Sequence, residues 1–243
     1  MKLLIKFPTR GRREVFQNTF ESYYSMLSGK HEVEFRISMD VDDKVMNRDD
    51  VWSFLDEKKN ITYCYGENTC KVGAINANMD GAEFDVLLLA SDDMIPQVHG
   101  YDDIIITKMQ EHFPEMDGAL HFNDGRAAEA LCTLSIMGKK MYDRFGYIYH
   151  PQYTSLWCDN EFHEVCHSWG KMKYVDNIII KHAWVDATGS DNLHQRNESF
   201  HDADKIVYTA RKNAGFPKEH VVIERTRRSR EQRRKENAAR RRG

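Results

Sequence analysis

Two aspartate clusters, Asp40-Val41-Asp42-Asp43 and Ser91-Asp92-Asp93, carry the groups best suited to chemistry in this 243-residue chain, with Asp159 a third candidate further along. Carboxylates held close together repel unless a cation sits between them, and hard divalent cations take oxygen ligands. A cation beside two carboxylates can in turn hold the phosphates of a nucleotide. Pro8-Thr9-Arg10 and Lys71 add a hydroxyl and two positive charges that suit ribose or diphosphate, and His182 follows an apolar, strand-like run. Neither a Gly-x-x-x-x-Gly-Lys nor a Gly-x-Gly-x-x-Gly loop is present, which disfavours an ATPase or a nicotinamide enzyme.

The elements that must position these residues follow from hydrophobic periodicity. Lys2 to Phe7 reads as a buried strand, Val15 to Leu27 as an amphipathic helix, and Val33 to Met39 as a strand with two-residue alternation. A helix around Asp50 to Lys58, a strand from Ile61 to Tyr65 and a helix from Lys71 to Met79 come next. Phe84 to Ala90 is apolar enough to be a strand buried on both faces. This alternation predicts an α/β fold with a mostly parallel, Rossmann-like sheet flanked by helices. Ligands of such sheets bind beyond the carboxyl ends of the strands. Three of those ends are Thr9-Arg10, Asp40 and Ser91-Asp92-Asp93, so one sheet edge should gather them.

The second half is more mixed. Tyr101 to His112, Lys139 to Phe145, Asp159 to Trp169 and Phe200 to Ala214 read as helices. Gly118 to Phe122, Leu131 to Met137 and Tyr174 to Lys181 read as strands. Asp159 at the start of its helix suits an N-cap as well as a chemical role. His182, at a strand end, suits a backbone-satisfied histidine as well as a metal ligand.

Composition sets the outer limits. Hydrophobic residues make up 41% and charged residues 30%, a globular balance. The longest apolar stretch, Val86 to Ala90, is too short to cross a bilayer, and the N-terminus lacks the features of a signal peptide. Five scattered cysteines without a Cys-x-x-Cys pair argue against a zinc site or a disulfide framework and fit a reducing, cytoplasmic setting. The net charge of −3 hides an asymmetry, because residues 224–243 carry ten Lys/Arg against three Glu. The expected organisation is one domain over 1–222 and a basic tail over 223–243, solvated and helical or disordered. That tail suits docking, including peripheral contact with an anionic membrane, rather than specific nucleic-acid binding.

With these segments in place, the sequence resembles family-two glycosyltransferases of the GT-A fold from Met1 to about His182. Phe7-Pro8-Thr9-Arg10-Gly11-Arg12 is similar to their opening strand and turn, and Asp40-Val41-Asp42-Asp43 to their base-contacting acidic element. Lys71-Val72-Gly73-Ala74-Ile75-Asn76 resembles the segment against the nucleotide, and Leu87 to Pro96 the strand bearing the metal-binding Asp-x-Asp element. Ser91 stands at the first position of that element. The resemblance therefore makes Asp93 the direct metal ligand, Asp92 its neighbour and His182 the downstream histidine that completes the site. Trp157-Cys158-Asp159-Asn160-Glu161-Phe162 resembles the Glu-Asp-x-Asp element of inverting members, with Cys158 in place of Glu and Asp159 matching the catalytic base.

The resemblance implies sugar transfer from a nucleotide diphosphate donor, most simply a UDP-sugar, to a glycan or lipid-linked acceptor, with Mn²⁺ or Mg²⁺ as cofactor. Alternatives are a nucleotidyltransferase or other metal-dependent nucleotide enzyme, and a non-catalytic nucleotide- or sugar-binding protein. Lesser candidates are Tyr153, Trp157 and Trp184 for stacking on a sugar, Asn123-Asp124-Gly125 beside it, and His194, His201, Asp202 and Asp204 in a covering loop.

Overall fold

At the centre of the computed structural model, which describes residues 1–67, 70–183, 191–217 and 227–228, lies strand β1 (Lys2–Pro8). Its parallel neighbours are β2 (Glu32–Asp40) and β4 (Val86–Leu89), and β3 (Ile61–Gly66) extends the parallel run beyond β2. On the far side of β4 follow antiparallel β7 (Ile136–Gly138), then β6 (Ala119–Phe122), then β8 (Met172–Val175) parallel to β6. A separate two-stranded ribbon pairs β5 (Met94–Pro96) antiparallel with β9 (Ile180–His182).

Alternation along the strands builds a core on each face of the sheet. Leu3, Ile5 and Phe7 of β1 join one cluster with Val86 and Leu88 of β4, while Leu4, Leu87 and Leu89 point into the other. The first cluster is covered by α1 (Arg13–Ser25) and α4 (Tyr101–His112), with Phe16 edge-on to Phe7 at 5.2 Å. The second is covered by α3 (Lys71–Asn76), α5 (Lys139–Phe145) and α6 (Cys158–Ser168). Helix α2 (Asp49–Asp56) adds Val51 and Leu55 to the first cluster. At Gly138, where β7 turns into α5, a Cβ would stand 2.3 Å from the Met116 carbonyl oxygen, so only glycine allows the approach.

The first hundred residues follow the expected order of elements, except that the helix from Lys71 ends at Asn76 rather than Met79 and the short strand β5 was not expected. Two expectations in the second half fail. Leu131 to Met137 is not one strand: Asp124 collects the N–H groups of Arg126, Ala127 and Ala128, and a 3₁₀ turn at Ala128–Ala130 follows. Only Ile136–Gly138 reaches the sheet. Tyr174 to Lys181 is likewise split, because the chain leaves the main sheet after Val175 and re-pairs with β5 from Ile180. Among the described residues, two further helices follow β9, α7 (Asn192–Glu198) and α8 (His201–Asn213), the first unexpected. Arg227–Arg228 forms β10, antiparallel to β3. Those two residues therefore depart from the helix or disorder expected of the tail. The rest of the tail and Trp184 lie outside the described residues.

Candidate active site

A cavity of about 310 Å³ opens at the carboxyl edge of the parallel strands. Pro8, Thr9 and Arg10 enter it from the end of β1, Asp40 from β2, and Ser91, Asp92 and Asp93 from β4. Lys71 reaches it from the start of α3, Asp159 from α6 and His182 from β9. The cavity thus brings together every principal candidate residue except Asp42. The Asp42 side chain is 71% exposed and lies outside the lining, held by Arg10 at 2.7 and 3.0 Å. Arg10 also donates to buried Asp40 at 2.5 Å, so one guanidinium organises both carboxylates.

The β5–β9 ribbon sets the acidic end. Met94 pairs with His182, the Ala183 N–H donates to the Asp93 carbonyl at 2.7 Å, and His182 Nε2 faces Asp93 Oδ2 at 3.6 Å. On its other side, His182 Nδ1 faces Asp124 Oδ2 at 3.6 Å, and the His182 N–H donates to the Asp124 carbonyl at 2.8 Å. Burial works against a charged imidazole here, but Asp124 and Asp93 outweigh it and push His182 up to about 9. Asp93 resists its own burial through His182 and the Ser91 hydroxyl, which donates to its Oδ1, and stays well below the usual carboxylate range. Asp92 behaves oppositely. Burial raises it to about 8 against the pull of Arg12, its Oδ2 accepts from Thr9 Oγ1 at 3.2 Å, and its Oδ1 has no partner among the described residues.

These groups suit a divalent cation. Asp93 is ionised, His182 adds an imidazole, and a cation would displace the imidazole proton. Among the described residues no three acidic, histidine or cysteine side chains form a closed cage. An open set of one carboxylate and one imidazole leaves positions for phosphate oxygens, the usual arrangement for Mg²⁺-like ions at nucleotides.

Asp159 is not an N-cap. Trp157 occupies that position in a left-handed conformation (φ 64°), which places Asp159 inside the first turn, facing the cavity. Burial raises its pKa, with Lys71 pulling the other way. A carboxylate poised above its ordinary range is suited to accept a proton.

Other candidates sort differently. Tyr153 is buried and donates to Glu161, and Trp157 packs on Tyr208 with ring centroids 5.1 Å apart, so neither lines the cavity. His194 does, from α7, whereas His201, Asp202 and Asp204 belong to α8 rather than to a covering loop. Sequence reading missed Arg12, whose guanidinium grips Asp191 at 2.6 and 2.9 Å while Asp191 caps α7 through the His194 N–H. It also missed the hold of Asp124 on His182. No local pattern announces either contact.

No protein-family model and no curated protein matches the sequence. Solved structures do match in shape. The mannosyltransferase PcManGT from Pyrobaculum calidifontis, in complex with GDP-Man and Mn²⁺, superposes with a TM-score of 0.59 over 74% of this chain at 10% identity. The chain has the GT-A fold. The TarS 1–349 fragment from S. aureus with UDP-GlcNAc gives the same TM-score, 0.59, over 74% of the chain at 14% identity. A Drosophila β1,4-galactosyltransferase 7 mutant with manganese, UDP-Gal and xylobiose gives 0.50 over 81% at 12%. This GT-A chain spans only 56% of the mannosyltransferase and 58% of the TarS fragment. Among its described residues, no helix is long and apolar enough to cross a membrane.

Proposed function

We propose that this GT-A chain is a metal-dependent glycosyltransferase that moves a sugar from a nucleoside diphosphate donor, a UDP-sugar, to a hydroxyl of a glycan or other acceptor, with inversion. The observation that carries the reading is the convergence of Asp93, His182 and Asp159 on the same cavity as Thr9, Arg10 and Asp40. The solved GT-A structures that hold nucleotide-sugars support the donor class.

Arg10 and Asp40, with Asp42 behind Arg10, hold the nucleotide end. Thr9, Ser91 and Asp92 line the passage to the phosphates, and Lys71 contributes positive charge there. Asp93 and His182 are the residues to hold Mn²⁺ or Mg²⁺. When bound, such an ion neutralises charge gathering on the departing diphosphate. Asp159 takes the proton from the acceptor hydroxyl, and its raised pKa makes it a stronger base than an ordinary aspartate. The acceptor oxygen bonds the anomeric carbon from the face opposite the diphosphate as the sugar–diphosphate bond breaks, and this single displacement inverts that centre.

A panel of nucleotide-sugars, incubated with and without Mn²⁺ and read as released nucleoside diphosphate, tests the reading. One donor turned over above the others, in a Mn²⁺-dependent way, is the expected result. Thermal stabilisation by nucleoside triphosphates alone, with no donor turned over, would replace it with a nucleotidyltransferase.

A further inference from the structure

The segment that ends in Asp159 is held from behind by α8. The N–H groups of three successive residues converge on the buried carboxylate of Asp204: Thr154 at 2.8 Å, Ser155 at 2.7 Å and Leu156 at 2.8 Å. Ser155 and Leu156 line the cavity, and the next residue, Trp157, makes the left-handed turn that starts α6 and aims Asp159 inward. Helix α8 grips the same stretch at two more places. Tyr208 packs against the Trp157 ring, and Arg211 forms a two-pronged bond to Glu161 at 2.7 and 2.8 Å. The opposite side of the strip is tied to the nucleotide side of the cavity, because the Val72 N–H of α3 donates to the Thr154 carbonyl at 3.1 Å.

A bulky residue at positive φ is strained and persists only where its surroundings over-determine it. Three charge-assisted bonds on the residues just ahead of Trp157 supply that determination. We infer that Asp204 is a positioning residue for sugar transfer: its carboxylate fixes the backbone of residues 154–156, and through the Trp157 turn it sets where Asp159 meets the acceptor hydroxyl. This rests on Asp159 being the base. It adds a working part far from the sheet edge, on a helix that follows the last strand of the β5–β9 ribbon. Asp204 does not line the cavity, so its effect should fall on the reaction and not on donor binding.

The test is a double-mutant cycle of Asp204→Asn with Asp159→Asn, using the best donor of the nucleotide-sugar panel and following release of its nucleoside diphosphate. Calorimetric binding of UDP with Mn²⁺ serves as a readout independent of turnover. Displacing a base by about an ångström costs about 10²-fold. Asp204→Asn should therefore lower kcat about 10²-fold, leave donor KM and UDP binding unchanged, and add nothing further on top of Asp159→Asn. Should Asp204→Asn fail to fold, Asp204→Glu, which keeps a carboxylate for the three N–H groups but moves it, enters the same cycle with a smaller expected loss.

Unchanged kcat, losses that multiply in the double variant, or weakened UDP binding would overturn the inference while leaving the base assignment standing. Normal turnover of Asp159→Asn alone would remove the base, and the inference with it.

Discussion

The two halves of the molecule place their functional groups by different means. In the first half, the parallel strands do the work: Thr9, Asp40 and Asp93 sit where they do because β1, β2 and β4 end at one edge. In the half from Asn123 onward, side chains grip backbone. Asp124 gathers the loop after β6, Asp191 caps α7 under Arg12, and Asp204 collects the strip before α6. Backbone ladders are generic and tolerate change on the outer side chains, whereas each carboxylate clamp depends on a single residue. Substitutions in the second half should therefore act farther from the cavity than those in the first.

The comparison breaks most visibly at Asp159. Asp159→Asn should cut transfer by about 10²- to 10⁴-fold with the fold intact, as measured by nucleoside diphosphate release alongside circular dichroism. Since burial raises the pKa of Asp159, the acid limb of the kcat/KM profile should lie above the titration range of an ordinary aspartate, activity falling as pH drops and the base takes up a proton. A limb at ordinary aspartate pH would point to a solvated group instead.

Next in size is the buried pair of Arg211 and Glu161, whose side chains are 5% and 6% exposed. Arg211→Met strands a charge and should cost about 3–5 kcal/mol of stability in denaturant titrations. A loss below about 1 kcal/mol would mean that α8 is not a clamp of this kind. Asp124→Asn, which removes the carboxylate charge behind His182, should weaken Mn²⁺ binding by about 10- to 100-fold in calorimetry while UDP alone binds as before. Equal Mn²⁺ affinity would confine Asp124 to shaping its loop. The smallest effect is expected in the first half, at Asp42. As an exposed partner of Arg10, its change to Ala should shift donor KM by no more than about 1 kcal/mol, roughly fivefold.

The same division explains what the sequence disclosed. The expected limits of α4, Tyr101–His112, and of α5, Lys139–Phe145, coincide with the observed helices, and β1 is off by a single residue. Period and composition carry such elements, and strand ends carry Thr9, Asp40 and Asp93 to a shared edge once the sheet is parallel. Helix α7 has no buried residue and owes its place to Arg12, far away in the chain. Periodicity cannot register that. The expected strand from Tyr174 to Lys181 ran through Asp176-Asn177, a polar pair that marks the place where the chain leaves the main sheet and was legible as a break. Asp204 was legible only as a polar residue in a polar stretch; its three backbone partners are fixed by tertiary structure alone.

One consequence belongs to the order of synthesis. The ribbon that seats His182 beside Asp93 cannot close until β9 has emerged, long after every strand of the parallel core is available. A nascent chain ending ahead of that strand would carry Asp93 without its imidazole neighbour. Competence for chemistry in this way waits on a strand made well after the parallel core.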